Sequence, residues 1–359
     1  MTPVISIILP VYNAESSLPR TLAALMAQVY EGYEVIAVDD GSTDMSAVLL
    51  DAAALEYPDR FTVVHTENRG AWQARKTGFE LARGEYVGFC DSDDEPSNRF
   101  VQTLAQRAFD TGADIVVCAF ERCDAAGERT LSTEMTSFGD GCVELAENPG
   151  ILPSINTALW NKLFRREVLV AGLMFATPAR VGEDVVLNLA AYAHSHRLTF
   201  VSEPLYRYRT RPGSLMASVT SEDFEALERS FLEVRELIAA SRTKDASQFL
   251  AVCDLMAFIH IGISLQERFC ARQAGHAAVE QREAAAEQRK IARLVRTILE
   301  RSFPQYRHNP YATLRYNRTH SNSNLMLLIA LWAYRLRLLM PSLRLYRAAT
   351  ARRNSSFGW

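Results

Sequence analysis

The chain has 359 residues, of which 48% are hydrophobic and 23% are charged, and its formal net charge is −3 at pH 7. These values exclude a disordered chain and are typical of a soluble globular protein with two domains or one large one. The six cysteines include no Cys-x-x-Cys pair, which disfavours a zinc site and a disulfide framework and indicates reduced thiols.

The first 120 residues alternate between short apolar runs and segments of helical periodicity. The pattern predicts strands at 4–9, 33–38, 61–65, 86–90 and 114–120, and helices at 15–28, 43–55, 69–82 and 98–109. Strands that alternate with helices in this way indicate βαβ units. We therefore expect an α/β fold with a mostly parallel sheet flanked by helices. The chain enters the first strand without a basic segment, so we expect no signal peptide.

The remainder of the chain is expected to contain little strand. Residues 121–158 are interrupted by glycine and proline and are expected to be irregular. They are followed by predicted helices at 160–171 and 185–194 and short strands at 199–201 and 205–209. From 219 to 359 we expect an all-helical region, with helices at 222–239, 247–269, 277–302 and 324–340.

An acidic tetrad, Asp91-Ser92-Asp93-Asp94, directly follows the fourth predicted strand. Three carboxylates at the end of a buried strand repel one another, and a hard divalent cation shared with a substrate phosphate would relieve that repulsion. The alternative is a solvated loop in which Ser92 and Asp94 cap the following helix. The tetrad therefore predicts a site for a cation and a nucleoside diphosphate.

Other polar residues also lie where predicted strands end. Tyr12-Asn13 follows the first strand, Asp39-Asp40 ends the second, and Asn68 comes shortly after the third. Ligands of parallel α/β sheets bind beyond the carboxyl ends of the strands. These residues and the acidic tetrad are therefore expected to line one ligand site.

The order and spacing of these segments resemble the family 2 glycosyltransferases. The resemblance rests on Pro10-Val11-Tyr12-Asn13, Asp39–Asp44, Asn68–Arg75 and the tetrad, then on Trp160-Asn161-Lys162 and Gly182-Glu183-Asp184. It covers residues 3–215 and implies a GT-A fold with a catalytic domain over 1–218. It also implies an inverting transfer from a nucleotide sugar, most simply a UDP-sugar, to a glycan or lipid-linked acceptor, as in polysaccharide synthesis.

The resemblance also assigns roles to individual residues. Asp39 would contact the nucleobase, because a carboxylate can accept the imide N–H of uracil. Asp93 would ligate Mg²⁺ or Mn²⁺, and Asp91 would lie near the ribose and share the cation. Asp184 would be the general base that takes the proton of the acceptor hydroxyl, with Glu183 in support. The other predicted substrate contacts are Pro10, Tyr12, Asn13, Glu15, Asp40, Asn68, Gly70, Arg75, Ser92, Trp160, Lys162, Arg209 and Arg211.

Several of these residues also have a purely structural interpretation. Ser42 or Thr43 can cap the second helix, and acids such as Glu183 and Asp184 stabilise the first turn of any helix. Trp160 can be a core residue. Arg75 can be a surface charge.

The charge of the chain is unevenly distributed. Residues 301–359 contain ten arginines and no acidic residue, and they include an uninterrupted apolar run of ten residues, Leu325–Tyr334. Ten residues are too few to span a bilayer, which takes about 20. The run is therefore either a buried core helix or an interfacial helix, and we expect this tail to bind an anionic membrane at the cytoplasmic face. No motif supports a nucleic-acid partner.

Two other functions remain open at this point. A non-catalytic nucleotide-sugar-binding protein would retain the same donor site, although such proteins often lose one of the acids that are all present here. A nucleotidyltransferase shares the α/β topology but needs a glycine-rich, basic phosphate loop after the first strand. Residues 10–17 contain neither glycine nor a basic residue.

Overall fold

The structure is a computed structural model that describes residues 4–173, 180–210, 219–242, 245–272, 280–319 and 325–337. The chain divides into two compact units. The first comprises Met1–Glu147, Thr157–Phe175 and Ala190–Arg211, and the second comprises Asn148–Asn156, Ala176–Leu189 and Pro212–Trp359. The sequence predicts a domain boundary at residue 218. The second unit, however, includes two segments that precede this residue, Asn148–Asn156 and Ala176–Leu189.

The first unit contains a mixed sheet. Its strands are β1 (Ile5–Val11), β2 (Tyr33–Asp39), β3 (Phe61–His65), β4 (Tyr86–Phe89), β5 (Glu95–Pro96), β6 (Ile115–Cys123), β7 (Thr130–Glu134), β8 (Cys142–Glu144), β9 (Lys162–Arg165) and β10 (Arg197–Arg209). The order is β3-β2-β1-β4-β9-β6-β10-β5, with β7 beside β6 and β8 beside β10. The four strands β3-β2-β1-β4 are parallel as predicted, whereas β9 runs antiparallel to both of its neighbours.

Four helices of this unit follow the predicted pattern. They are α1 (Leu18–Met26), α2 (Ser46–Glu56), α3 (Ala71–Leu81) and α4 (Phe100–Thr111), and they are joined by α5 (Arg166–Leu173) and by α6 (Glu183–His194), which crosses into the second unit. Helix α3 packs closely on β1 at Gly78, where a Cβ atom would lie 2.5 Å from Ile8 Cγ2. A glycine is therefore required there, and the close packing brings the first turn of α3 to the edge where β1 and β2 end.

Three sequence predictions for residues 121–209 were wrong. The segment predicted as a helix over 160–171 begins as strand β9 and becomes helical only at Arg166. Its residues fill the space between β4 and β6, where Leu163 pairs with both Gly88 and Val116, so ladder hydrogen bonds override the helical pattern. Residues 121–158, predicted as irregular, contain β7, β8 and two short 3₁₀ helices (Thr136–Phe138 and Pro149–Ser154). The two strands predicted at 199–201 and 205–209 are one strand, β10, whose register shifts at Pro204.

The second unit is helical, as predicted. Its helices are α7 (Ser221–Ser241), α8 (Ala246–Ala257), α9 (Gln266–Arg272), α10 (Glu280–Ser302), α11 (Leu314–Thr319) and α12 (Leu325–Arg335), with a π-helical segment (Phe258–Leu265) between α8 and α9 and a 3₁₀ helix at Pro304–His308. Thr220 and Asp223 form a capping box at the start of α7. Among the described residues, one helical stretch, Ala246–Cys270, has the length and composition of a membrane span, but 78% of the apolar 18-residue window within it is buried in the structure, as in a core helix.

The apolar run Leu325–Tyr334 has a buried side and an exposed side. Leu327, Leu331 and Tyr334 are buried, and the Tyr334 ring lies 5.2 Å from the ring of Phe258. On the other side, Ile329 and Trp332 are 52% and 60% exposed. The core-helix interpretation is therefore correct for one side of α12 and leaves the other side open to a partner.

Candidate active site

The loops that follow β1 and β2 are joined by hydrogen bonds at the carboxyl edge of the sheet. The backbone N–H of Asn13 donates to Ser42 Oγ (3.0 Å), and that of Thr43 donates to Asn13 Oδ1 (2.8 Å). Glu15 Oε2 accepts the N–H of Met45 at 2.9 Å. Asn13 and Glu15, both predicted as substrate contacts, therefore shape the loop after β2.

The predicted cap of the second helix is wrong. Helix α2 begins at Ser46, three residues later than the sequence predicts, and Ser42 Oγ accepts the backbone N–H of Asn13. Asp44 instead accepts the N–H of Ser46 (2.9 Å) and that of Glu15 (3.0 Å). These two bonds let Asp44 stabilise both the helix start and the loop after β1.

The adjacent acids Asp39 and Asp40 are both buried, with 3% of each residue exposed, and they have different partners. Asp40 accepts the backbone N–H groups of Arg69 and Gly70, each at 2.8 Å, so it fixes the loop that leads into α3. Asp39 Oδ1 accepts the N–H of Ser42 at 3.0 Å. Each oxygen of a carboxylate can accept more than one hydrogen bond, so Asp39 retains capacity for a ligand.

A histidine that the sequence analysis missed contacts the predicted nucleobase residue. His65 ends β3 opposite Asp39, and its Nδ1 lies 2.9 Å from Asp39 Oδ2. Its Nε2 lies 3.1 Å from Asp51 Oδ1 on α2. A lone histidine has no ligand spacing to mark it, but its position at a strand end beside Asn68 was a usable signal.

A glycine holds the β2 loop against the β3 loop. Gly41 has a φ of +72°, and a Cβ there would lie 2.8 Å from the backbone nitrogen of Asn68. Only glycine suits both constraints. Asn68 and Gly70 are exposed in this loop, and Gly70 has a φ of +90° immediately before α3.

The acidic tetrad forms a cluster at the end of β4. Asp91, Asp93 and Asp94 each offer a carboxylate oxygen, and these oxygens all lie within 4.8 Å of one another. Asp91 and Asp93 are half-buried, whereas Asp94 is completely buried. Oxygen donors at this spacing suit Mg²⁺ or Mn²⁺, so the residues fit the predicted cation.

Asp94 differs from its two neighbours in its surroundings. Its Oδ1 accepts the backbone N–H of Arg209 at 3.0 Å. Burial, and then the charge of Asp91, raise the pKa of Asp94 well above its ordinary value. The surroundings of Asp94 therefore oppose its ionisation.

Arg75 belongs to the same cluster. It lies in the second turn of α3, only 6% of the residue is exposed, and its Nη2 is 3.4 Å from Asp91 Oδ1. The surface-charge interpretation of Arg75 is therefore wrong. A guanidinium beside these acids partly offsets their repulsion and presents a cation where a phosphate is expected.

Trp160 and Lys162 are core residues. Trp160 is 6% exposed and stacks on Tyr206 with 4.6 Å between ring centroids. Lys162 is fully buried, and its Nζ donates to the carbonyl of Ala158 (2.5 Å) and to Asn161 Oδ1 (3.1 Å). This placement does not support their predicted contact with the sugar or acceptor.

Arg209 has partners within the first unit. Its guanidinium bonds to the Glu95 carboxylate and the Ala126 carbonyl and lies against Gly127, where a Cβ atom would not fit. Its predicted contact with the diphosphate stays a prediction, and Arg211 lies outside the described residues.

The remaining predicted contacts lie on both units. Tyr12 is 51% exposed, Pro10 is half-buried at the end of β1, and the carbonyl of Ser92 accepts the hydroxyl of Ser17 at 3.0 Å. Glu183 and Asp184 form the first turn of α6 in the second unit, and the carbonyl of Asp184 accepts the side-chain N–H of Asn188 at 2.8 Å. Gly182, with a φ of +90°, allows the turn that begins this helix. The roles of Glu183 and Asp184 stay predictions.

Comparison with known proteins gives a family for most of the first unit. Residues 6–170 match the model of glycosyl transferase family 2. The uncharacterized glycosyltransferase EpsJ of Bacillus subtilis is 33% identical over 224 residues, which cover 60% of this chain and 63% of that protein. The chain thus spans somewhat less than two thirds of this relative.

Solved structures agree on the fold. Residues 1–349 of S. aureus TarS, in complex with UDP-GlcNAc, superpose with a TM-score of 0.62 at 19% identity, over 99% of this chain and 93% of that one. The mannosyltransferase PcManGT of Pyrobaculum calidifontis, in complex with GDP-Man and Mn²⁺, gives a TM-score of 0.51 at 18% identity, over 94% of this chain and 88% of that one. Together with the sheet order and the acidic cluster, these matches show that residues 6–170 form a domain of glycosyl transferase family 2 with the GT-A fold.

Proposed function

We propose that the chain is a metal-dependent, inverting glycosyltransferase that transfers a sugar from a nucleotide sugar to a hydroxyl group of a glycan or lipid-linked acceptor. The observation that carries the proposal is the carboxylate cluster Asp91, Asp93 and Asp94 beside Arg75 at the edge where β1, β2 and β4 end. A nucleotide sugar offers a diphosphate for a cation and an arginine to hold. Its base offers groups for a carboxylate such as Asp39.

Each part of the nucleotide sugar that binds the protein has a candidate partner in the first unit. The Asp39 carboxylate accepts the imide N–H of a uracil base, which makes a UDP-sugar the simplest donor. Arg75 binds a phosphate oxygen, and Asp91 and Asp93 hold Mg²⁺ or Mn²⁺. When bound there, the cation would neutralise charge that develops on the departing nucleoside diphosphate.

The transfer needs one further group. The acceptor oxygen forms a bond to the anomeric carbon while the bond from that carbon to the diphosphate oxygen breaks, and the hydroxyl proton moves to a carboxylate. We assign this base to Asp184, with Glu183 in support. Both acids lie in the first turn of α6.

The relatives support the donor class without fixing the sugar. EpsJ carries the name of a glycosyltransferase, and the two related folds were solved with UDP-GlcNAc and with GDP-Man and Mn²⁺. At 18–19% identity these structures show only that this fold accommodates such ligands. We therefore infer a nucleotide sugar as the donor and take uracil from Asp39 alone.

A panel of nucleotide sugars tests the proposal. We expect one of them, with Mn²⁺, to raise the melting temperature of the full chain and to release its nucleoside diphosphate when an acceptor is added. Stabilisation without release in the presence of any acceptor would identify a nucleotide-sugar-binding protein. Consumption of a nucleoside triphosphate and a sugar phosphate would identify a nucleotidyltransferase.

We also propose that residues 301–359 attach the protein to an anionic membrane at its cytoplasmic face. Support comes from α12 and the turn after it, where Ile329, Trp332 and Leu336 are all more than half exposed. Arg335 and Arg337 are exposed next to them, and the whole segment contains no acid. An apolar face bordered by arginines suits the interface of an anionic bilayer.

Not every arginine of this segment is available for such a surface. Arg301 pairs with Glu228 at 2.9 Å, and Arg307 pairs with Glu300. Leu327, Leu331 and Tyr334 belong to the core of the second unit. Removal of the whole segment would therefore damage the fold, so a test of membrane binding must replace individual exposed side chains.

A further inference from the structure

His65 connects three elements of the first unit. It ends β3, it lies opposite Asp39 at the end of β2, and it also reaches Asp51 in the second turn of α2. The distances are 2.9 Å from Nδ1 to Asp39 Oδ2 and 3.1 Å from Nε2 to Asp51 Oδ1. His65 thus forms a bridge between Asp39 and Asp51. Only 5% of the Asp39 side chain is exposed, against 44% for His65 and 61% for Asp51, so this bridge runs from the buried site to the surface.

Both contacts can be hydrogen bonds only if the ring is positively charged. A neutral imidazole has one N–H donor and one lone pair, whereas the imidazolium has two donors. A carboxylate has no proton to give when it is ionised. The neutral ring would therefore turn a lone pair towards either Asp39 or Asp51.

The other acids near this bridge are occupied by other groups. Asp40 accepts two backbone N–H groups, Asp44 accepts those of Glu15 and Ser46, and Glu67 pairs with Arg69 at 3.3 Å. Asp39 and Asp51 are thus the charged groups that hold the ring among the described residues of β2, α2 and the loop after β3.

We infer that His65 is a positioning residue for donor binding, which fixes the Asp39 carboxylate as an ionised hydrogen-bond acceptor for the nucleobase. The inference rests on the proposed function, because it requires Asp39 to meet a base. Ser42 holds Oδ1 and His65 holds Oδ2, so the orientation of the Asp39 carboxylate is fixed from both sides while each oxygen keeps a further lone pair. An acceptor fixed in this way selects uracil, which offers N3–H, over cytosine, which offers a lone pair at N3.

The bridge makes base recognition depend on pH. Hydrogen bonds to Asp39 and then to Asp51 raise the pKa of His65 above its ordinary value of 6.5. For Asp39, burial acts to raise the pKa, but hydrogen bonds from Ser42 and His65 outweigh it, so the pKa is lowered. The bridge is complete below the pKa of His65 and loses one donor as the pH rises through it. UDP affinity is therefore highest on the acidic side and falls with increasing pH.

Three variants separate the roles of the ring. His65→Ala removes the donor to Asp39, and His65→Asn keeps an N–H donor near the position of Nδ1 but does not titrate. Asp51→Asn removes the second carboxylate and so lowers the pKa of His65. The matched control is His308→Asn, because His308 is an exposed histidine of the second unit.

The experiment is calorimetric titration of UDP and of CDP, with Mn²⁺, from pH 5.5 to 8.5. We expect wild-type UDP affinity to fall several-fold with rising pH, and His65→Ala to bind UDP about tenfold more weakly at pH 6, the scale of one hydrogen bond to a charged group. His65→Asn should bind well without this pH dependence, and Asp51→Asn should move its midpoint to lower pH. The terminal phosphate of UDP and of CDP titrates near pH 6 whichever variant is used. Its effect therefore cancels when affinities are compared as the ratio of UDP to CDP, or of variant to wild type, at one pH.

The outcomes for His65 and for the proposed function are distinct. If His65→Ala retains the wild-type affinity, pH profile and preference for UDP over CDP, the inference about His65 is wrong and the donor site stands. If His65→Ala does not fold, a folded His65→Asn with an unchanged pH profile likewise shows that the inference is wrong. If the wild-type chain binds neither nucleotide at any pH, it is the proposed function that fails.

Discussion

Both units of this protein bury acidic residues, but the partners of those acids differ. Among the described residues of the helical unit, each buried acid has a basic partner: Asp254 with Arg235, Glu228 with Arg301 and Asp223 with Arg180. At the sheet edge of the first unit, Asp91, Asp93 and Asp94 lie within reach of one another. Arg75 contacts this group through Asp91.

This difference distinguishes charges that serve the fold from charges that serve a ligand. When one member of a buried pair of opposite charge is removed, the folded protein is strongly destabilised, because the other charge stays buried without its partner. A cluster of like charges costs free energy in the folded protein until a cation arrives. Stability and ligand binding should therefore respond in opposite ways when acids of the two kinds are replaced.

The largest expected effect concerns the acid to which we assign chemistry in the second unit. Asp184→Asn keeps the shape of the side chain and removes its basicity. We expect turnover to fall by about two orders of magnitude or more, the scale of general-base loss, with donor binding unchanged. Rates with saturating donor and acceptor, together with UDP affinity, measure both quantities. Near-normal transfer by the variant would reduce Asp184 to a residue that starts helix α6.

The next effect breaks a matched pair. Asp254 is fully buried, bonds to Arg235 and accepts the N–H of Gln305 at 3.0 Å. Asp254→Ala leaves both donors without this acceptor and should lower the free energy of unfolding by about 3 kcal/mol. Urea unfolding measures the change, and Glu236→Ala, at a more accessible acid of α7, is the control. A loss no larger than that of the control would show that the pair does not stabilise the helical unit.

The same substitution within the acidic cluster should have the opposite sign. Asp93→Ala removes one of the repelling carboxylates, so the ligand-free protein should become more stable by up to about 1 kcal/mol. Adding UDP with Mn²⁺ should reverse this order, because only the wild-type protein gains from the cation. Thermal unfolding with and without the ligands tests both statements. If the ligand-free variant is instead destabilised, Asp93 serves the fold in the same way as the buried acids of the second unit that have a basic partner.

The last expected effect concerns the exposed side of α12. Trp332→Ser removes the most amphipathic residue of that side and should weaken binding to anionic liposomes by about 1 kcal/mol or more. High salt should weaken binding of both proteins, because it screens the arginines. Liposome flotation is the measurement. Leu55→Ser, at an exposed leucine of α2, is the control. Flotation equal to that of the control would leave α12 without a role at the membrane.

The extent to which the sequence predicted this structure follows from local periodicity. Strands β1 to β4 and helices α1 to α4 were predicted within a few residues, because buried strands and amphipathic helices mark their own sequences. Strand β9 was missed because four residues, Lys162–Arg165, owe their conformation to pairing with β4 and β6. The local sequence pattern contains no information about these pairing strands.

The site shows the same division. Asp39 and Asp91–Asp94 lie at one edge of the sheet, as predicted, because the parallel strands β2, β1 and β4 end there. His65 was missed because its meaning depends on Asp39 and Asp51, which lie 26 and 14 residues away. Trp160 and Lys162 were assigned to the substrate from a motif, and only the packing on Tyr206 and the bond to Ala158 identify them as core residues.

The central claim is that the acidic cluster at the end of β4 binds a nucleoside diphosphate through a divalent cation. Calorimetric titration of UDP into the full chain, once with Mn²⁺ and once with EDTA, tests it most directly. We predict binding that requires Mn²⁺ in the wild-type protein and is lost in a folded Asp93→Ala variant. UDP binding that is equally strong in EDTA, or unchanged in the variant, would contradict the claim.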